Sequence, residues 1–218
     1  MMLKKEIWAF LRKEIMLEWR QRFAISGIML YLVSTVFVAY LAFDGFIPVK
    51  TWNALFWLIL LFAAINAILK SFILEPESRQ LFYYSHVSAR GVINAKIMYN
   101  AMLMSVLGLS GFGVFVLFMG NPLVHTGVFL LNLLLGMLGF ASVLTLVSAI
   151  ASRARNNFTL MAVLGFPLIL PMLLLLIRVS SMAIAGGGGA AADLLIIGLL
   201  ILITILLSNL LFPYIWKE

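Results

Sequence analysis

Cysteine is absent from the 218-residue chain, and this absence excludes disulfide bonds, iron–sulfur clusters, thiolate haem ligation and cysteine nucleophiles. Charged residues are also scarce, at 11% of the chain, whereas 64% of its residues are hydrophobic. Soluble domains have about 25% charged and about 45 to 50% apolar residues. These proportions predict an integral membrane protein with no sizeable soluble domain.

Two common enzymatic motifs are missing as well. The chain contains no G-x-x-x-x-G-K-[ST] phosphate-binding loop and no H-E-x-x-H metalloprotease motif. The glycine-rich run at 184–193 follows no strand and precedes no Lys-Ser/Thr pair, so it predicts a flexible loop on the outer face. We expect that the chain does not hydrolyse nucleotides alone, and we assign it no catalytic residue and no metal ligand.

Six long stretches with few or no charges predict membrane-spanning helices. Each is long enough to cross a hydrocarbon core of about 30 Å, and continuous apolar runs differ from the alternating pattern of membrane β-barrels. The fold class is therefore all-α and polytopic, with a cytoplasmic amphipathic helix at 1–22 and a six-helix transmembrane domain at 23–216. The predicted spans are about 23–43, 51–69, 97–119, 126–151, 156–177 and 194–216.

The basic residues predict the orientation of these spans. The net charge is +7, from 15 Lys and Arg and 8 Asp and Glu. Only Lys50 and Arg178 lie on the side opposite to the two termini, and the other basic residues share the side of the termini. Because loops rich in Lys and Arg remain in the cytoplasm, both termini are expected to be cytoplasmic. The bilayer explains the basic excess, and no nucleic acid partner is needed.

The N-terminal stretch at 3–22 has an apolar row at i, i+4 spacing among cations, as in a helix that lies in the membrane interface. Glu14 and Glu18 fall beside this row, so each is expected to need a cationic partner, such as Arg20 or a residue of another chain. A solvated juxtamembrane helix explains the pattern equally well.

The longest polar segment, at 70–96, mixes charged and aromatic side chains, and its central residues are Glu75, Glu77, Arg79, Phe82 and Tyr83. Aromatic and arginine side chains carry much of the binding energy of protein interfaces, which favours a docking surface for a partner. An aromatic belt at the membrane interface is the alternative.

Three features of the outer half and of the fifth span suggest specific roles. Pro167 and Pro171 each remove a backbone hydrogen bond, which predicts a kinked helix shaped for packing. Arg178, near the end of that span, is expected to anchor it among lipid headgroups, and contact with a partner's acid or a haem propionate is the alternative. His125, in an outer loop, could ligate haem iron, although such a histidine is usually only a polar loop residue.

The run Gly108-Leu109-Ser110-Gly111 matches the G-x-S-G motif of rhomboid intramembrane proteases, which also have six spans. A serine nucleophile needs a histidine within hydrogen-bond reach, but His86 and His125 are both predicted to lie outside the spans. Close helix packing is therefore the favoured interpretation of these small residues. The predicted spans also contain no interior acid, which disfavours a proton-coupled or cation-coupled transporter.

The order of an amphipathic helix, six spans and a polar loop after the second span resembles the membrane subunit of a type 2 ABC exporter. Three segments are similar to those of the CcmB family. They are FLRKEIMLEWRQR at 10–22, with Glu14, Glu18 and Arg20; the loop at 70–100, with Ser71, Phe72, Glu75, Glu77 and Lys96; and FPLILPMLLLLI at 166–177, with Pro167 and Pro171. The run at 78–81 departs from the family, which commonly has acidic residues and glycine there.

The resemblance implies a permease subunit for haem delivery and cytochrome c maturation in the bacterial inner membrane. It implies that a separate CcmA-like subunit hydrolyses ATP and docks on the loop around Glu75, Glu77, Arg79, Phe82 and Tyr83. CcmC-like and CcmE-like proteins would be further partners, and haem would be a substrate or would be bound by these partners. A type 2 permease for lipid, polysaccharide or drug is the alternative, and a rhomboid-like protease is a third hypothesis.

Overall fold

A computed structural model describes residues 12, 16, 23–45, 47–68, 88–152 and 157–217. In this part of the chain the secondary structure is entirely helical, which confirms the predicted all-α membrane fold. The helices are α1 (Phe23–Ala42), α2 (Val49–Ile68), α3 (Ala89–Met119), α4 (Thr126–Ala151), α5 (Asn157–Ala185) and α6 (Ala190–Lys217).

Five of these helices, α2 to α6, are long and apolar enough to cross a membrane. The first helix, α1, has 20 residues, and its apolar stretch, Ser26–Ala42, is shorter. Two groups of predicted site residues lie outside the described part of the chain. They are Glu14, Glu18 and Arg20 of the N-terminal stretch, and Glu75, Glu77, Arg79, Phe82 and Tyr83 of the polar loop.

Successive helices run in opposite directions, so each connection lies at one of two ends of the bundle. We call the end at which α1 meets α2, α3 meets α4 and α5 meets α6 the outer end, and the opposite end the inner end. Hydrogen bonds at the outer end support this arrangement, because the backbone nitrogens of Val124 and His125 both donate to the Ala183 carbonyl, at 3.2 and 2.9 Å. That carbonyl belongs to the last turn of α5, where no partner exists within the helix.

The fourth helix, α4, forms the centre of the bundle. It packs against α2, α3, α5 and α6, whereas α1 packs mainly against α2 and α3. In their most apolar windows, 78% of the residues of α4 are buried but only 17% of those of α6. Glycines allow this close packing, because a Cβ atom at Gly136 would overlap the Trp57 ring, and one at Gly139 would overlap the Met172 side chain.

Aromatic side chains fill the outer half of the bundle interior. Trp52 and Phe56 of α2 stack with ring centroids 5.5 Å apart, and the Phe115 ring of α3 meets Trp52 edge-on at 5.0 Å. Phe129 of α4 packs on Phe56 at 5.3 Å. These four side chains are almost completely buried. Rings packed edge-to-face and offset contribute about 0.5 to 1.5 kcal/mol per pair beyond their buried area, so they hold α2, α3 and α4 together.

The outer loop predicted at 184–193 is shorter in the structure than the sequence predicted. Both flanking helices continue into the predicted loop, so that only Gly186 to Gly189 separate α5 from α6. Alanine has the highest helix propensity, which extends both helices into this run. The glycines at the two ends of the turn have φ angles of 71° and 96°, in the left-handed region that glycine adopts without strain. Arg178 therefore lies inside α5, two turns before its end, and not at a helix terminus as predicted.

The third helix, α3, also extends beyond its predicted span. It has 31 residues, about 46 Å, and begins at Ala89, where the Ser88 side chain accepts a hydrogen bond from the Gly91 nitrogen at 3.2 Å. Arg90 and Lys96 led to the later predicted start, because charges limit the apolar span. A charge does not limit a helix, however, and α3 is longer than the hydrocarbon core of about 30 Å.

Candidate functional site

Polar side chains are rare in this bundle, and most of those that are buried belong to two layers. The outer polar layer lies in the outer half, between α2, α4 and α5. The inner polar layer lies near the inner end, between α3, α4 and α6. The outer layer comprises the buried Asn53, Trp57, Asn132 and Ser180, with the exposed Ser181 at its edge, and the inner layer comprises the buried Lys96, Asn100, Thr145 and Ser148, with the half-buried Asn94 and Asn209 beside them.

In the outer layer, α2 donates hydrogen bonds to α5. The amide nitrogen of Asn53 donates to the Ile177 carbonyl at 2.8 Å and to the Ser181 hydroxyl at 2.9 Å. One turn later, the indole nitrogen of Trp57 donates to the Ser180 hydroxyl at 2.8 Å. Because both donors lie on one face of α2, they fix the rotation of this helix against α5.

The central helix contributes a third donor to the same layer. The amide nitrogen of Asn132 donates to the Leu176 carbonyl at 2.9 Å and to the Ser180 hydroxyl at 3.0 Å. Ser180 thus accepts from both α2 and α4. Hydrogen bonds between membrane helices contribute about 0.6 to 2 kcal/mol each, so the layer adds specificity to an interface that is otherwise apolar. The side-chain oxygens of Asn53 and Asn132 have no hydrogen-bond partner among the described residues.

An ion pair joins α5 to α6 beside the glycine turn. Arg178 Nε lies 3.1 Å from Asp193 Oδ2, and the two side chains are 66% and 9% exposed. Asp193 occupies the first turn of α6, where the helix dipole favours a negative charge. The acidic partner that the structure describes for Arg178 is thus a residue of the same chain. A role of Arg178 as a lipid anchor or as a haem contact remains a prediction.

His125 precedes α4 and makes its described hydrogen bonds through the backbone. Its nitrogen donates to the Ala183 carbonyl, while its side chain makes no capping hydrogen bond and the residue is exposed. Haem ligation by its imidazole remains a prediction. Within the described ranges, no group of three or more His, Asp or Glu side chains is arranged to hold a metal ion.

The inner layer ties α3 to α4 and α6. Asn94 and Asn209 exchange hydrogen bonds through their amide groups, at 2.7 and 2.9 Å, and so connect α3 to α6. The amide nitrogen of Asn100 donates to the Thr145 hydroxyl of α4 at 2.8 Å. Lys96 lies between these two positions in sequence and is only 2% exposed.

The packing interpretation of the small residues in α3 is confirmed at two positions. A Cβ atom at Gly108 would lie 2.7 Å from Met137 Cγ, and one at Gly111 would lie 2.9 Å from Leu32 Cδ1. Gly113, in contrast, faces open space. The Ser110 hydroxyl donates to the Val106 carbonyl of its own helix at 2.7 Å, which is the usual arrangement for serine in a membrane helix.

Pro167 and Pro171 lie on the exposed side of α5, which remains a helix through both positions. Ile169, Met172 and Leu176 form the buried side of the same helix. The two prolines therefore do not line a site inside this chain.

The polar residues that connect the helices were missed by sequence reasoning. Asn53, Asn132 and Ser180 are isolated within apolar runs, and this isolation was the available signal. Polar residues in membrane helices usually face the bundle interior, because lipid offers no hydrogen-bond partner. Asp193 was missed because the loop was predicted to be too long.

The comparison with known protein families matches residues 5–215 to a family described as CcmB protein. The chain belongs to the CcmB family. The match covers α1 to α5, all but the last two residues of α6, and the polar loop, which agrees with the resemblance noted in the sequence. CcmB membership and the apolar helices together identify a multi-pass membrane protein of the transporter class, with a role in cytochrome c biogenesis. No curated protein matches the chain in a direct sequence comparison.

Proposed function

We propose that this CcmB protein is the membrane permease subunit of an ABC transporter that serves haem delivery and cytochrome c maturation in the bacterial inner membrane. The observation that carries the proposal is the family match over residues 5–215. The sequence supports it, because the chain has six predicted spans and no phosphate-binding loop of its own. ATP is therefore bound and hydrolysed by a separate CcmA-like subunit, with CcmC-like and CcmE-like proteins as further partners.

The polar loop is the proposed docking site of the ATPase. It leads directly into α3, whose first turns pack tightly through Val92, Ile93 and Ala95 against Ala149 of α4 and Phe212 of α6. The reciprocal bonds between Asn94 and Asn209 strengthen this contact. A partner that moves the loop would therefore move the inner ends of three helices together, as a rigid body.

Reversing the charges of Glu75 and Glu77 to Lys is expected to weaken ATPase recovery or its coupling to transport. We expect holocytochrome c yield to fall by about tenfold or more, as for the loss of charged groups from an interface centre, while the chain still inserts. The measurements are recovery of the ATPase with the tagged permease and holocytochrome c yield at matched membrane levels. The matched control reverses Glu6 and Glu218 instead. Normal recovery and normal maturation in the Glu75 and Glu77 variant would contradict the docking assignment.

Cysteine labelling is expected to place both termini and the polar loop in the cytoplasm. The native chain has no cysteine, so every signal comes from the introduced residue. A membrane-impermeant maleimide added to intact cells should not label Ser85→Cys or Glu218→Cys, but it should label Gly187→Cys in the exposed outer turn. The physical reason is the excess of basic residues on the side of the termini. External labelling at position 85 or 218 would contradict the predicted topology.

The proposed substrate and partners can be tested by purification of the tagged permease from its native membrane. Mass spectrometry is expected to find a CcmA-like ATPase together with CcmC-like or CcmE-like proteins. Recovery of an ATPase without any maturation protein would favour a type 2 permease for another substrate, such as a lipid, polysaccharide or drug.

A further inference from the structure

Two buried asparagines of the outer polar layer each have a side-chain oxygen that no described residue binds. Asn53 is 2% exposed and Asn132 is 0% exposed, and neither Oδ1 atom accepts a hydrogen bond from the described part of the chain. Leaving a buried acceptor without a donor is unfavourable, because the group has lost its hydration and has gained no bond in return. The packing of α2 and α4 on α5 uses the amide nitrogens and does not explain the oxygens.

The carbonyl groups that the two amides contact fix the orientation of both side chains. Asn53 Nδ2 donates to the Ile177 carbonyl at 2.8 Å, and Asn132 Nδ2 donates to the Leu176 carbonyl at 2.9 Å. A carbonyl can only accept, so the nitrogen of each amide must face α5, and the oxygen cannot take its place. Because Leu176 and Ile177 are consecutive residues, the two amides bind adjacent positions of the same helix.

Ser180 contributes a complementary group to the same layer. Its hydroxyl oxygen accepts from the indole nitrogen of Trp57 at 2.8 Å and from the amide nitrogen of Asn132 at 3.0 Å. A serine oxygen has two lone pairs, so these two bonds use its whole capacity as an acceptor. Its own hydrogen is left to donate, and the structure describes no bond that it donates. The layer therefore has two acceptors and one donor still to be satisfied.

We propose that Asn53, Asn132 and Ser180 form the binding site of one ordered water molecule that joins α2, α4 and α5. The water donates its two hydrogens to the two Oδ1 atoms and accepts the hydrogen of the Ser180 hydroxyl. Buried waters make about three hydrogen bonds to groups that otherwise lack partners, and this site offers that number. The three side chains are positioning residues for the outer half of the bundle, and the site does not depend on the proposed transport function.

A metal cation fits these groups less well than water does. The Ser180 oxygen has no lone pair left for coordination, and two amide oxygens remain, whereas a cation such as Ca²⁺ takes about six to eight oxygen ligands. A cation also cannot accept the hydrogen of the Ser180 hydroxyl. Water both donates and accepts, so a single molecule satisfies all three groups.

A double-mutant cycle on the full chain in detergent tests the shared water. The variants are Asn53→Leu and Asn132→Leu, which are close to the native side chains in size, and the readout is the unfolding equilibrium constant. The two asparagines share no acceptor on α5, so their direct bonds alone predict additive effects. With a shared water, the first substitution already releases the water, and the double variant should be more stable than the singles predict by a factor of about five.

The matched control combines Ser181→Ala with Asn132→Leu. The Ser181 hydroxyl accepts from Asn53 at 2.9 Å, so its loss disturbs the same asparagine and the same helix but leaves the Asn53 oxygen in place. The effects of the control pair should be additive. Additive effects of the two asparagine variants, or equal coupling in the control pair, would overturn the proposal.

A density map of the native protein, at a resolution that shows ordered waters, tests the site without any substitution. We expect one peak at hydrogen-bond distance, about 2.5 to 3.0 Å, from both Oδ1 atoms and from Ser180 Oγ. Exchange of Na⁺ or K⁺ for choline in the buffer should leave the peak and the unfolding temperature unchanged. A map that resolves other buried waters but shows no peak here would refute the proposal, as would a specific stabilisation by one cation.

Discussion

Replacing Gly136 with valine is expected to remove most of the folded protein from the membrane. Gly136 lies in the central helix, and a Cβ atom there would lie 2.8 and 2.9 Å from two carbon atoms of the Trp57 ring and 3.0 Å from Leu176 Cδ1. The ring cannot retreat easily, because Trp57 is fully buried and its indole nitrogen is bonded to Ser180. Overpacking of a tight interior costs about 1 to 3 kcal/mol, and we expect the upper end here.

The measurement for Gly136→Val is the monodisperse fraction of the purified chain in detergent and its thermal unfolding temperature. Gly113→Val is the matched control, because it makes the same change in a membrane helix at a position that faces open space. The control should behave as the native chain does. Equal yields and equal unfolding temperatures for the two variants would show that α2 and α4 are not packed as described.

Truncating Arg178 to alanine is expected to destabilise the protein far more than removing Arg178 and Asp193 together. The single change leaves Asp193 without its counter-charge at the outer end of the bundle, where its side chain is only 9% exposed. Breaking one partner of a buried pair costs about 3 to 5 kcal/mol, and the lower end applies because Arg178 itself is 66% exposed. Changing Asp193 to alanine in the same chain removes the stranded acid and should recover most of this loss.

Thermal unfolding of the two single variants and the double variant measures this coupling directly. Lys50→Ala is the matched control, since Lys50 is an exposed cation of the outer end and should be close to neutral. Arg178→Lys should retain most of the stability because it keeps the charge. Additive single and double variants would mean that the ion pair contributes nothing. Normal stability of Arg178→Lys with strongly reduced maturation would instead indicate a recognition role for the guanidinium group.

The helix ends show where sequence reasoning reached its limit. The predicted start of the third span, at 97, followed the last nearby charge, but α3 begins at Ala89 because protein packing can bury a charged residue that lipid cannot accept. The loop predicted at 184–193 was based on composition, which grouped its alanines with its glycines. Alanine continues a helix and glycine ends one, so only the four glycines form the turn. Asp193 thereby lies in the first turn of α6, where its buried side chain pairs with the exposed Arg178.

The candidate site shows a different limit. Asn53, Asn132 and Ser180 belong to three apolar runs that are far apart in the chain, and they meet only because α2, α4 and α5 pack together. Pro167 and Pro171 were predicted to shape the fifth span, and this role remains a prediction. The side of α5 on which they lie depends on which face the neighbouring helices cover. The residues of the polar loop were singled out by composition, and their role remains a prediction.

By itself, the sequence determined the membrane class, the all-helical fold and the CcmB family. Hydrophobicity, helix length and motif similarity are local properties that can be read along the chain without knowing which helices are neighbours. Only the tertiary structure decided that α4 is central, that Arg178 pairs with Asp193 and that Lys96 is buried. Lipid and protein interior are nearly equally apolar, so a membrane helix does not show in its sequence which face is packed. Close contact between backbones and the few polar side chains decide that choice, and both depend on the complete bundle.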